Sequence, residues 1–222
     1  ANGLEGAVKS KPASFYSKNL KSMITVGNFD DNLGLIADCD WVIEVVVENL
    51  KIKQDLFAKV EKLIKPTCIV STNTSGIPIK DISANFGERL KERFLGTHFF
   101  NPPRYMKLLE VIPGEKTKKE IVEFIKCFGE EVLGKGVVIC KDVPNFVGNR
   151  VGVFDIANAM KIMVDKGMQI WELDAVIGKG VGRPGSSIGG TMDLVGLDTG
   201  YHVMNNLYEA VPHDEMREYY KP

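Results

Sequence analysis

WVIEVVVENLKIKQDLFAKVEKLIKPTCIVST, residues 41–72, holds a strand, a helix and a second strand in one run. Residues 41–47 and 68–72 are almost wholly apolar and rich in valine and isoleucine, the composition of parallel strands covered on both faces. Between them, Asn49 to Lys65 places Ile52, Leu56, Val60, Leu63 and Ile64 at helical spacing, and Pro66 ends the pattern. Parallel strands need such a crossover, so this stretch predicts an open α/β sheet.

Further short β-rich runs flank this unit: MITVG (23–27), RFLGTHF (93–99), MKLLEVI (106–112) and GVVIC (136–140). Thr117-Lys-Lys-Glu120 has the form of a capping box, opening a helix whose stripe is Ile121, Phe124, Ile125, Phe128 and Val132. After Pro144 the β-rich runs stop, and helical patterns follow over Asn149 to Lys166, Trp171 to Gly178 and Met192 to Ala210. A domain boundary is therefore expected near residues 141–145.

HFFNPPRYMKLLE, residues 98–110, carries the best clue to chemistry. Asn101-Pro102-Pro103-Arg104 reads as a turn between two apolar strands. Folding that hairpin about Arg104 sets His98 opposite Glu110, and directly opposed residues have Cβ atoms about 4.5–5.5 Å apart. A carboxylate there can accept a hydrogen bond from one imidazole nitrogen and leave the other to take a proton. Without further context, a His–Glu pair in a hairpin is more often a structural hydrogen bond than a catalytic one.

Composition narrows the classes of function. The 222 residues suffice for two small domains, and 28 basic against 29 acidic residues give a net charge of -1. No basic patch calls for a nucleic-acid or membrane-surface partner. Cys39, Cys68, Cys127 and Cys140 lie far apart with no CxxC spacing, which indicates neither a zinc site nor a disulfide scaffold and fits a reducing, cytoplasmic setting.

A dinucleotide-binding sheet opens with a strand and a GxGxxG turn. The match at Gly180-Val-Gly182-Arg-Pro-Gly185 follows a helical pattern, contains Pro184 and runs into SSIGG, so it reads as a glycine-rich loop and not as a cradle for pyrophosphate. The chain begins instead with Asn2-Gly-Leu-Glu-Gly and a helical hairpin broken at Pro12, as though an earlier strand, turn and helix preceded it. The expected fold class is α/β, an incomplete Rossmann-like doubly wound sheet followed by an all-α C-terminal domain. The expected division is 1–143, a nucleotide-binding domain lacking its N-terminal strand and Gly-rich turn, and 144–222, an incomplete helical domain.

VVVENLKIK (45–53), STNTSGIPI (71–79), GTHFFNPPRYMKLLEVI (96–112) and CKDVPNFVGNR (140–150), in that order and spacing, resemble the L-3-hydroxyacyl-CoA dehydrogenases across essentially the whole chain. The later GRPGSSIGGTMDLVGLDT (182–199) looks like the branch fused to an enoyl-CoA hydratase. The resemblance implies NAD-dependent oxidation of a 3-hydroxyacyl-CoA to the 3-ketoacyl-CoA, as in fatty acid β-oxidation. It implies His98 as base, Glu110 as its orienting carboxylate, and Ser75 and Asn149 as residues that position the hydroxyl and thioester oxygens. For NAD it implies Glu48 and Lys53 on the ribose and phosphate side, and Ser75 and Asn101 toward the nicotinamide. Lys9, Lys11, Lys18 and Lys21 are candidate CoA phosphate contacts, and a homodimer is the expected assembly.

Bland roles stand beside these. Ser75 and Asn149 belong to residue types that cap turns and helices, and Glu48 and Lys53 could form a solvated helix face. Asn145 stands where the family has glycine, and asparagine tolerates the left-handed backbone such a turn needs. The alternatives are a non-enzymatic or inactive relative of the same family, and another two-domain NAD enzyme such as a 6-phosphogluconate or UDP-sugar dehydrogenase relative. That last class would need a catalytic Lys or Cys in place of the His–Glu pair.

Overall fold

The computed structural model describes residues 2–183 and 185–221, and these form two units, Ala1–Ile139 and Cys140–Pro222. The first unit opens with helix α1 (Asn2–Lys9). The second arm of the expected hairpin is only a 3-10 turn, Lys18–Met23, started by the Ser17 hydroxyl accepting from the Asn19 N–H. MITVG is not a strand, and Met23 and Val26 are exposed. A strand requires a hydrogen-bonding neighbour, and among the described residues the sheet begins at β1 (Trp41–Glu44).

β1 stops at Glu44, three residues short of the apolar run, because the Glu44 carboxylate takes the Val46 N–H at 2.5 Å and turns the backbone away from its neighbour. The crossover helix α2 (Leu50–Leu63) is capped by Asn49, whose side chain accepts from the Ile52 N–H at 3.1 Å. It ends where Ile64 turns extended ahead of Lys65-Pro66. Its buried face is Lys53, Phe57, Val60 and Ile64, one position round from the predicted stripe, while Ile52 and Leu63 are partly exposed. Strand β2 (Ile69–Thr72) returns parallel to β1 with Glu44 beside Thr72.

Two short helices, α3 (Ile79–Ile82) and α4 (Glu88–Lys91), connect β2 to β3 (Phe94–Phe99), which is also parallel. β3 turns back into β4 (Leu108–Pro113) antiparallel, and helix α5 (Lys119–Cys127) carries the chain to β5 (Gly136–Ile139), parallel to β4. The sheet is mixed, in the order β1-β2-β3-β4-β5. Right-handed crossovers that advance in one direction, before and after the strand sense reverses, place α2, α3 and α4 on one face and α5 on the other. Side chains agree with this. Phe94 packs edge-on against Phe57 and Phe86, whereas its neighbour Leu95 joins Ile69, Leu109, Val111, Ile121 and Ile125.

The capping box at Thr117 does not form. The Thr117 hydroxyl donates to the Phe94 carbonyl at 2.5 Å and accepts from the Gly114 N–H at 2.8 Å, pinning the β4–α5 connection to β3. α5 starts without a side-chain cap; Phe124 on α5 is exposed, and Val132, at the end of a single π-turn over Phe128–Val132, is exposed as well.

The second unit contains α6 (Gly148–Asp165), α7 (Ile170–Val176), α8 (Gly189–Val195) and α9 (Leu197–Ala210). The single helix predicted from Met192 divides at Gly196, whose φ of 93° no helix interior accommodates. Gln169 and Glu172 form a reciprocal capping box at the start of α7. Asp174 holds the start of α8 by accepting from the Ile188 and Gly189 N–H groups at 3.0 and 2.9 Å. The GxGxxG match lies between α7 and α8, with Gly182 left-handed at φ 84°, and the element directly before it is helix α7. Pro184 falls outside the described residues.

The two readings of α2 make different stability predictions. Phe57→Ala, which opens the aromatic cluster, is expected to cost about 3–5 kcal/mol in urea unfolding. Ile52→Ala on the outer face is expected to stay within about 0.5 kcal/mol. The reverse ranking would restore the stripe read from sequence.

Candidate active site

The antiparallel register of β3 and β4 pairs His98 with Glu110. His98 Nδ1 lies 2.7 Å from Glu110 Oε2, with His98 4% exposed and Glu110 fully buried. The Phe100 ring sits 4.5 Å from the imidazole. Two residues back on β3, Gly96 leaves room for the floor beneath the pair: a Cβ there would lie 2.9 Å from Ile79 Cδ1 and 3.0 Å from Ile112 Cδ1. A charge-assisted hydrogen bond in such a dry setting fixes one ring nitrogen and the ring plane.

The ends of the parallel strands are tied to this pair through backbone. Asn73, just past β2, gives its N–H to the Glu44 carbonyl at 2.8 Å and accepts the Phe99 N–H on its side chain at 2.9 Å. The next turn is held by Glu48, whose Oε1 accepts from the Thr74 hydroxyl at 2.6 Å, the Ser75 N–H at 2.8 Å and the Gly76 N–H at 3.2 Å. Burial works against ionisation of Glu48. The Thr74 hydroxyl, the Ser75 N–H and the nearby Lys53 ammonium outweigh it and hold the carboxyl below its ordinary 4.5. Ser75 is exposed, and its hydroxyl makes no hydrogen bond among the described residues. It therefore caps nothing.

Lys53 departs from its expected place. Its side chain is 1% exposed, and Nζ donates to both Glu44 oxygens at 2.8 and 3.0 Å and lies 3.3 Å from Glu48 Oε2. At position i on a helix whose i+4 and i+7 residues are Phe57 and Val60, it faces the core. Its ammonium is thus enclosed and shared between two carboxylates, directly behind the half-exposed Glu48. Asn101 is exposed at the start of the β3–β4 turn, which closes by the Tyr105 N–H donating to the Pro102 carbonyl at 2.9 Å. Asn149 is the second residue of α6 and does not cap it, since Val147 holds the cap position. Asn145 takes the left-handed conformation at φ 60°, as its type permits. Lys9, Lys11 and Lys18 are exposed, whereas Lys21 pairs with Glu5.

Glu44, Thr72 and Thr74 were missed by sequence reasoning. The available signal was a lone carboxylate inside WVIEVVV, because a charge in a buried strand requires a partner.

Comparison with known proteins agrees with the motif order. A family profile described as "3-hydroxyacyl-CoA dehydrogenase, NAD binding domain" matches residues 2–143, and one described as its "C-terminal domain" matches 146–221. A "Probable 3-hydroxyacyl-CoA dehydrogenase" of Bacillus subtilis is 46% identical over 94% of this chain and 26% of its own length. One of the same description from Deinococcus radiodurans is 45% identical over 96% of this chain and 62% of its own. This chain thus spans between a quarter and two thirds of these relatives. The crystal structure of M. tuberculosis FadB2 superposes with a TM-score of 0.82 at 28% identity, covering 100% of this chain and 75% of that one.

Because its folded carboxyl titrates below 4.5, Glu48 contributes stability that is fully present above that pH and fades as pH falls through the lowered value. The stability gap between wild type and Glu48→Gln, followed by thermal melts, should be widest above the ordinary carboxylate range and narrow as the pH falls below it. A gap that widens on acidification would contradict this electrostatic assignment.

Proposed function

Since the chain belongs to the 3-hydroxyacyl-CoA dehydrogenase family, we propose that the protein containing it oxidises L-3-hydroxyacyl-CoA thioesters to 3-ketoacyl-CoA with NAD, with His98 as general base. The observation that carries this reading is the buried His98–Glu110 pair at the carboxyl ends of the parallel strands, the edge where open α/β sheets hold their ligands.

Removing hydride from a secondary alcohol leaves charge on carbon unless the hydroxyl proton departs, so a base must reach that oxygen. His98 takes the proton at Nε2, because Nδ1 is engaged by Glu110. Glu110 holds the ring orientation and stabilises the imidazolium. NAD, when bound, supplies the acceptor for the C3 hydride. The side chains at this edge suit its ribose–nicotinamide end: a half-exposed Glu48 carboxylate and exposed Ser75 and Asn101. Lys53 contributes through Glu48. Ser75 also positions the substrate hydroxyl, and Asn149 in the helical unit is assigned to the thioester side on the motif match alone.

The domain assignment is 1–143 for nucleotide binding and 144–222 for the helical domain. Placement in a longer protein with a fused enoyl-CoA hydratase region is supported by similarity to a "Putative fatty acid oxidation complex trifunctional enzyme" of Rickettsia felis, 38% identical and covered over 29% of its length. Exposed Trp171, Leu194 and Leu197 on the helical unit support a homodimer. A cytoplasmic setting is supported by four cysteines that are all free. Among the described residues, no helix is long and apolar enough to cross a membrane.

With the full-length protein, NADH consumption on acetoacetyl-CoA reads the reaction in reverse. His98→Ala should lower kcat by about 10²–10⁴ with little change in KM for the thioester. Turnover at the wild-type level in that variant would remove His98 from the chemistry.

A further inference from the structure

Glu44 is a buried carboxylate that no step above uses. It is 4% exposed at the end of β1, and its oxygens accept from the Val46 N–H at 2.5 Å, the Thr72 hydroxyl at 2.6 Å and Lys53 Nζ at 2.8 and 3.0 Å. Two routes lead from it to the turn that presents Ser75. In one, Lys53 reaches Glu48 at 3.3 Å, and Glu48 takes the Thr74 hydroxyl and the Ser75 and Gly76 N–H groups. In the other, the Thr72 hydroxyl that donates to Glu44 accepts the Thr74 N–H at 3.2 Å. The routes close into a ring, Glu44–Lys53–Glu48–Thr74–Thr72, that joins β1, α2 and β2.

We propose that Glu44 is a positioning residue, the anchor that holds Lys53 and Thr72 so that Glu48 and the 74–76 turn keep the geometry that meets the cofactor. The inference rests on reading Glu48 and Ser75 as the cofactor-facing edge. Without the Glu44 carboxylate, the enclosed Lys53 ammonium has Glu48 as its remaining carboxylate partner. Pulled inward, Glu48 gives up its bonds to the Ser75 and Gly76 N–H groups; where Lys53 is lost as well, Glu48 Oε2 loses the ammonium that holds it, and the carboxylate is again free to leave the turn. Each of the two N–H bonds is a hydrogen bond to a charged acceptor, stronger than a neutral one.

The test separates positioning from plain support of the fold. Glu44→Gln strands a buried ammonium and should destabilise the protein, whereas Glu44→Gln combined with Lys53→Met removes both charges and should recover much of that stability. In the full-length protein, we expect KM for NADH to rise about tenfold in both, with kcat on acetoacetyl-CoA changed by less than about threefold. Amide exchange at Ser75 and Gly76 should quicken by about tenfold or more in both, with β2 and β3 amides still protected in the double variant. A double variant whose KM and 75–76 protection return together with its stability would overturn the proposal and leave Glu44 a structural residue. The exchange measurement needs no substrate. Slow exchange at 75–76 in Glu44→Gln rejects the anchoring role even in an active enzyme, whereas fast exchange in a protein that never turns over acyl-CoA rejects the proposed reaction and leaves the anchor standing.

Discussion

The register between β3 and β4 is the constraint on which the site depends. Side chains alternate across a strand, so a slip of one residue would move every one of them to the opposite face. In the observed register, Phe94, Gly96 and His98 share a face, with Ile112 opposite Gly96 and Glu110 opposite His98. The same parity that inserts Phe94 against Phe57 therefore brings the imidazole to its carboxylate. Core packing and chemistry are set by one choice of alignment, and the aromatic cluster protects the alignment energetically.

The second organising feature is polar. Strand ends in a parallel sheet are stitched by whatever side chains point along them, and here Asn73 joins all three parallel strands through the Glu44 carbonyl and the Phe99 N–H. Buried polar groups are costly when half satisfied, but among the described residues no buried side-chain nitrogen or oxygen lacks a partner. That satisfaction lets a charged residue such as Lys53 occupy a core position beside Phe57 and Val60 without unfolding the helix around it.

Much of this was legible in the sequence, and the failures have physical causes. The crossover unit, the hairpin centre at Arg104 and the change to helices after Pro144 follow from local signals: periodicity, prolines and apolar runs. The burial of Lys53 was not legible, because a lysine at helical spacing is usually solvated and its partner Glu44 lay in a strand that composition marks as apolar. MITVG has strand composition, but pairing depends on a neighbour and not on propensity. Thr117 has the right residue type for a cap, and lost that role to a stronger tertiary partner, the Phe94 carbonyl. The break at Gly196 was visible as a glycine, but a glycine within a helical pattern is ambiguous until its φ is known.

The ring of Glu44, Lys53 and Glu48 has a consequence for what this edge of the sheet attracts. Two carboxylates share one ammonium, so the group carries one net negative charge, and the oxygens it exposes belong to Glu48. A lysine read as a cation available to phosphate is already neutralised from within. What this edge presents locally is therefore an acceptor oxygen of Glu48, suited to a hydroxyl donor, and not a free ammonium.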